Sequence, residues 1–187
     1  SVRAAPAKAT AKAPGFAEFV ALIALTMGIT ALSIDNLLPA FSPIGIELGV
    51  SDANRLQMLI YAYMAGFAVM QVVYGPLSDV WGRRPVLLSG LALYAVASLL
   101  AVLAGSFGFL IALRVVQGMG AAAARVIAVS IVRDRFAGRE MARVMSFVMM
   151  VFITVPIFAP GIGSLFLVIG GWRLIFATML VLALAVG

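Results

Sequence analysis

The 187-residue chain is 64% hydrophobic and only 11% charged. A soluble domain carries about 25% charged residues, so this chain lacks the polar groups to coat a globule, and lipid is the economical solvent. The net charge of +6 does not point to nucleic acid, because the basic residues are scattered between apolar runs. Cysteine and histidine are both absent from the sequence, which removes disulfides, thiolate or imidazole metal sites and the usual general base.

Taken in chain order, residues 1–15 (SVRAAPAKATAKAPG) are rich in Ala, Lys and Pro and read as a flexible tail. The apolar run that follows is too long for the core of a signal peptide. A membrane-crossing helix needs about 20 apolar residues, and six stretches qualify as spans. They cover about Phe16–Ala40, Arg55–Tyr74, Pro85–Ala104, Phe109–Val132 and Ala142–Ile169, with a sixth beginning at Trp172. The expected fold class is an all-α membrane bundle over residues 16–187. The sixth span is still apolar at Gly187, which suggests a chain cut within it.

Loop charges set the orientation. With the N-terminus in the cytoplasm, that side receives Arg3, Lys8, Lys12, Arg83, Arg84, Arg133, Arg135, Arg139 and Arg143, against Arg55 and Arg173 on the other. The segment YGPLSDVWGRRP (residues 74–85) then lies on the cytoplasmic face between the second and third spans.

Three ionisable residues fall inside spans: Asp35, Arg114 and Arg125. A charge at the bilayer centre costs about 2.5–3.5 kcal/mol on insertion scales, so each needs a partner, an aqueous cavity or a short reach to the surface. Asp35 and Arg114 lie at similar depth from the outer side. They suit either a structural ion pair between helices or a substrate- and proton-sensitive site. Arg114, Gly118, Ala121 and Arg125 share one helical face, as expected of a helix lining a polar cavity with Gln117 beside it. Arg125 alternatively snorkels to the headgroups. Met27 and Asn36 lie to one side of the Asp35 face, where they would touch the same cavity. In the fifth span, Pro156, Pro160, Gly161 and Gly163 predict a bend, either a plain kink or one that shapes a gate. Gly75, Leu77 and Gly82 recur as Gly163, Leu165 and Gly170 at an offset of 88, a faint internal repeat.

These motifs resemble the N-terminal half of a major facilitator superfamily transporter, and more narrowly the drug:proton antiporters of the Bcr/CflA type. The loop signature stands as Gly75, Leu77, Asp79, Gly82, Arg83 and Arg84, and that of the fourth span as Arg114, Gln117, Gly118, Gly120 and Ala121. Asp35 and Pro39 match the first span, while IVRDRF (131–136) and GWRLIF (171–176) also look like this subgroup. The fifth-span antiporter motif is only partial, and Thr26, Met27 and Gly28 stand where some relatives carry a second acid. The resemblance implies a six-helix half with a three-plus-three inverted repeat, a second six-helix half as partner, and residence in a bacterial inner membrane. It implies export of small drugs with the proton as coupling ion, and neither a further cofactor nor enzyme chemistry. Asp79, Arg83 and Asp134 would form a cytoplasmic gate, with Arg83 and Arg84 also enforcing topology. Protonation of Asp35 would weaken its hold on Arg114. Absence of a Walker loop argues against an ATP-driven pump. A sugar or metabolite carrier on the same scaffold, and a half-length assembly module that does not itself transport, are the other readings.

Overall fold

The computed structural model describes residues 15–187; the expected tail falls outside them apart from Gly15. The described residues are helical throughout, with short connections and no strand. The helices are α1 (Phe16–Asp35), α2 (Phe41–Glu47), α3 (Ala53–Trp81), α4 (Arg83–Val102), α5 (Phe107–Arg135) and α6 (Gly138–Val186), with a 3-10 turn at Leu38–Ala40. Five helical stretches among them are long and apolar enough to cross a bilayer.

The helix starts follow from capping chemistry. Asp52 accepts a hydrogen bond from the Asn54 amide at 2.8 Å at the head of α3, and Ser106 accepts one from Phe109 at 3.3 Å at the head of α5. Each satisfies an amide that the first turn leaves orphaned. Pro39 has no amide hydrogen to continue α1, and the chain passes there into the 3-10 turn before resuming as α2. The first span therefore reaches Glu47, beyond the expected limit at Ala40. Gly82, with φ 88°, ends α3 and starts α4, a backbone conformation that a side chain would disfavour.

The expected fifth and sixth spans form one 49-residue run, α6, with a non-helical residue inside it: Gly171 at φ 72°, ψ −175°. A straight helix of that length would extend about 74 Å at 1.5 Å per residue, more than twice the roughly 30 Å hydrocarbon core. The contacts show the chain folding back at Gly171. Before it, Phe147 meets Phe16 and Gly163 lies against Asn36, parallel to α1. After it, Arg173 reaches the carbonyl of Val102 and Gly187 lies beside Leu91, antiparallel to α4. Backbone dihedrals stay helical through Pro156 and Pro160, while the break at Gly171 falls between Ile169 and Trp172, where the apolar runs place the boundary of the fifth and sixth spans.

Packing centres on α5, which is flanked by α3 and α4 and also touches α1. A Cβ on Gly118 would stand 2.0 Å from the carbonyl oxygen of Tyr63, and one on Gly66 would stand 2.0 Å from that of Val115. The α3 and α5 backbones therefore meet where only glycine fits. Such close approach is how helices associate where lipid provides no hydrophobic drive.

Candidate functional site: a buried arginine centre and an inner charge cluster

Arg114 lies one turn before Gly118, and the tight α3–α5 crossing seals it completely, at 0% exposure. Its Nε donates to the Leu59 carbonyl at 3.1 Å, one Nη to Gln117 Oε1 at 2.6 Å and the other to the Ser33 carbonyl at 3.0 Å. The guanidinium also lies 4.4 Å from the centre of the Tyr63 ring, close enough for a cation–π contact. The Asp35–Arg114 ion pair, one of the two alternatives open from sequence, is not formed. Among the described residues the ion pairs are Arg83–Asp79, Arg83–Asp134 and Arg173–Glu47. Asp35 is half-buried, and α1 meets the guanidinium through the backbone of Ser33, two residues earlier.

A second layer holds these ligands. Gln117 Nε2 donates to Ser98 Oγ at 2.7 Å and contacts the Met179 sulfur at 3.5 Å. The Ser33 hydroxyl donates to the Ile29 carbonyl at 2.6 Å and is hydrogen-bonded to the Tyr94 hydroxyl. Three helices, α1, α3 and α5, thus meet one buried cation through neutral acceptors, and α4 and α6 support those acceptors from behind. Buried oxygens on Thr30, Asn36 and Tyr63 have no hydrogen-bond partner among the described residues, so polar capacity around the centre is left over. Ser33, Tyr63, Tyr94 and Ser98 were not singled out from sequence. Their only signal was an uncharged polar group inside an apolar run, and such a group also satisfies itself within its own helix.

The other expected cavity residues are placed differently. Met27 is fully buried among Phe19, Ile23, Val144 and Val148. Gly118 and Ala121 are buried packing positions. Arg125 is half-buried, with its guanidinium 5.1 Å from the Phe152 ring centre. Asn36 is 3% exposed and lines an apolar groove of about 440 Å³ with Leu32, Ile162, Phe166, Thr178 and Val181. Gly163 backs Asn36, whereas Gly161 is exposed.

At the opposite end of α5, the residues expected to form a cluster do so. Arg83 Nε donates to Asp134 Oδ2 at 2.9 Å, and Arg83 Nη1 lies 2.7 Å from Asp79 Oδ1. The same Nη1 donates to the hydroxyl of Ser78, which itself donates to the Gly75 carbonyl at 2.8 Å. This cluster joins α3, α4 and α5. Its carboxylates are open to solvent, 65% exposed on Asp79 and 51% on Asp134. Arg84 is exposed and makes no ion pair among the described residues.

The sequence matches the Major Facilitator Superfamily profile over residues 23–187. The chain belongs to the major facilitator superfamily. Its relatives include Multidrug resistance protein D of Escherichia coli K12, 32% identical over 88% of this chain and 42% of that protein. The Bicyclomycin resistance protein homolog of Haemophilus influenzae is 34% identical over 81% and 39%, and the Chloramphenicol resistance protein of Pseudomonas aeruginosa 37% over 80% and 36%. These are Bcr/CflA-like members of the superfamily, and the match is to their N-terminal half. The chain spans about two fifths of the length of the curated relatives it matches. The fold is also that of the human organic anion transporter MFSD10 (TETRAN), at a TM-score of 0.63 and 20% identity, covering 92% of this chain and 47% of that one. Superfamily membership accounts for the apolar surface: a transporter fold presents Val72, Val80, Ile157 and Val168 outward because its solvent is lipid.

Proposed function

We propose that the chain forms the first half of a proton-coupled efflux antiporter for small drugs. In this reading the fold-back at Gly171 makes the five apolar stretches into six spans, related three-plus-three by an inverted repeat, with a cytoplasmic N-terminus in a bacterial inner membrane. The contact pattern supports the repeat: α5 packs on α3 and α4, α1 packs on α6 with its early arm at Phe147 and Gly163, and the late arm of α6 packs on α4. Alternating access needs a second such bundle rocking against this one around a midplane site. The proton is the coupling ion.

The observation that carries the reading is the sealed Arg114 charge, held by carbonyls and an amide with no carboxylate on it. Isolated charge in a low-dielectric interior is costly, and such residues in membrane proteins mark substrate and proton pathways. Asp35 lies on the α1 turn that touches Arg114 through Ser33. A proton on Asp35 removes the nearby negative charge, and a cationic drug competes with that proton for the same carboxylate. A neutral drug competes equally; its exchange for one proton carries one charge inward, about 2.3 kcal/mol per 100 mV, whereas exchange of one proton for a monovalent cationic drug moves no net charge and is driven by the pH difference. The multidrug, bicyclomycin and chloramphenicol resistance names of the relatives support a drug substrate over a sugar.

Asp35→Asn tests the assignment in the full-length protein, reconstituted with an internal pH dye. Drug-driven proton release is expected to vanish, leaving at most slow, pH-independent drug movement. Undiminished proton exchange in the variant would remove Asp35 from the mechanism.

A further inference from the structure

The outer face carries a second charge cluster, centred on Glu47. The Trp172 indole donates to Glu47 Oε2 at 2.6 Å, and Arg173 donates to Glu47 Oε1. The remaining Arg173 donors go to the carbonyls of Val102 at 3.0 Å and Ala104 at 3.3 Å, at the end of α4. Its guanidinium stacks 4.3 Å from the Trp172 ring, and Trp172 itself is buried.

This arrangement repeats three parts of the inner cluster. In each, a glycine at positive φ reverses the chain: Gly82 at 88° and Gly171 at 72°. In each, an arginine follows within two residues, Arg83 or Arg173, and grips a carboxylate at the far end of an earlier or later span, Asp134 or Glu47. The offsets agree: Glu47 and Asp134 stand 87 positions apart, Gly82 and Gly171 89, and Arg83 and Arg173 90. They lie within two positions of the offset of 88 that relates Gly75 to Gly163, at which Gly82 falls on Gly170, one residue before the turn. An inverted repeat puts equivalent loops on opposite faces, which is where these two lie.

The copies differ in their remaining partners: the outer one adds the Trp172 indole and the Val102 and Ala104 carbonyls, the inner one Ser78 and a second acid. The inner cluster has a second acid, Asp79, with a 65% exposed carboxylate. At the equivalent outer positions stand Leu167, Val168 and Ile169. Both Glu47 oxygens are engaged within this chain, and so are all three nitrogens of Arg173. No second acid stands beside this pair to offer a free carboxylate to a facing bundle, although the two side chains are 39% and 45% exposed.

We propose that Glu47, Trp172 and Arg173 form the repeat counterpart of the inner gate cluster, in a version that does not release. They position α2, the end of α4 and the late arm of α6 as one body throughout the transport cycle, while the inner cluster exchanges partners. The division of labour rests on the transporter reading above; the assignment of the outer staple itself does not.

Hydrogen exchange on the full-length protein tests both, with and without a transported drug and at acid and neutral pH. Backbone exchange around residues 79–86 is expected to change by about tenfold or more between conditions, the signature of local opening. Exchange at 171–176 should stay within about twofold. A comparable change at both places would overturn the proposal and make the outer cluster a gate. No change at either would count against the gating and transport reading while leaving the staple intact. Glu47→Gln should raise exchange at 171–176 and lower Tm by about 2–4 °C, with recovery in the charge-swapped pair Glu47→Arg plus Arg173→Glu. Unchanged exchange in Glu47→Gln would show that the cluster positions nothing.

Discussion

The two ends of α5 use arginine chemistry in opposite ways. At Arg114 the guanidinium is sealed and its partners are a ring of neutral acceptors fixed by helix packing. At the other end of α5, Arg83 meets two carboxylates in partial contact with water. The first arrangement depends on geometry: neutral acceptors must all be in place, since each one left unmade costs about 1–3 kcal/mol. The second depends on charge, screened by solvent to about 0–1 kcal/mol per pair. A site that must sense a proton benefits from the first, because a small change in nearby charge is felt strongly where the dielectric is low. A contact that must break and remake in each cycle benefits from the second.

The largest expected effect breaks the geometry under Arg114. Gly118→Val would place a Cβ 2.0 Å from the Tyr63 carbonyl oxygen, which belongs to backbone and cannot step aside. We expect α3 and α5 to separate and the protein to aggregate, read as loss of the monodisperse peak by size exclusion in detergent. A well-behaved, transport-active Gly118→Val protein would show that the crossing is not the platform for Arg114. Next in size is Arg114→Lys. It keeps the charge and loses the planar fork that reaches Leu59, Gln117 and Ser33 together. Folded protein with transport reduced at least about a hundredfold is expected, equivalent to about 2.7 kcal/mol. Near-normal transport would mean that charge alone matters there, and the contrast between the two ends of α5 would collapse.

Sequence reading reached the inner cluster more completely than the buried one, for a physical reason. Gly82, Arg83 and the carboxylates of Asp79 and Asp134 stand out against apolar flanks, and charges at a membrane surface seek each other over short reach. The inner site was therefore legible from residue type and position. Arg114 was equally visible, but its partners were not. Two of them are main-chain carbonyls, of Leu59 and Ser33, and any residue type carries those. Depth alone suggested Asp35 as the partner. The crossing geometry decided otherwise, bringing the Ser33 carbonyl to the guanidinium. The fold was similarly divided. Apolar run lengths located the spans, and the boundary they set between the last two, after Ile169 and before Trp172, is where Gly171 takes a positive φ; the bend expected at Pro156 and Pro160 is not seen as a break in the helical dihedrals.

A smaller effect is expected at the inner end. Asp134→Asn removes one of two carboxylates on Arg83 and leaves Asp79. Stability should fall by no more than about 1 kcal/mol, while the transport rate changes severalfold as the balance between access states shifts. If the thermal midpoint drops by more than about 4 °C with the rate unaffected, the cluster is a structural brace, and the distinction drawn from its exposure fails.

The smallest effect sharpens the comparison at Arg125, which lies between the two regimes. It is half-buried, eleven residues past Arg114 on the same helix, and its guanidinium sits 5.1 Å from the Phe152 ring. It makes no ion pair among the described residues. A cation over an aromatic face contributes about 0.5–1 kcal/mol where water remains, and a long side chain can also carry its charge toward the headgroups. Lysine satisfies both requirements, so Arg125→Lys should change neither the thermal midpoint nor drug export measurably. Phe152→Leu should cost less than about 1 kcal/mol. If instead Arg125→Lys abolished export as Arg114→Lys is expected to, the guanidinium fork would be needed at both positions. The face from Arg114 to Arg125 would then act as one recognition surface, and the packing of Gly118 and Ala121 between them would have to open during transport.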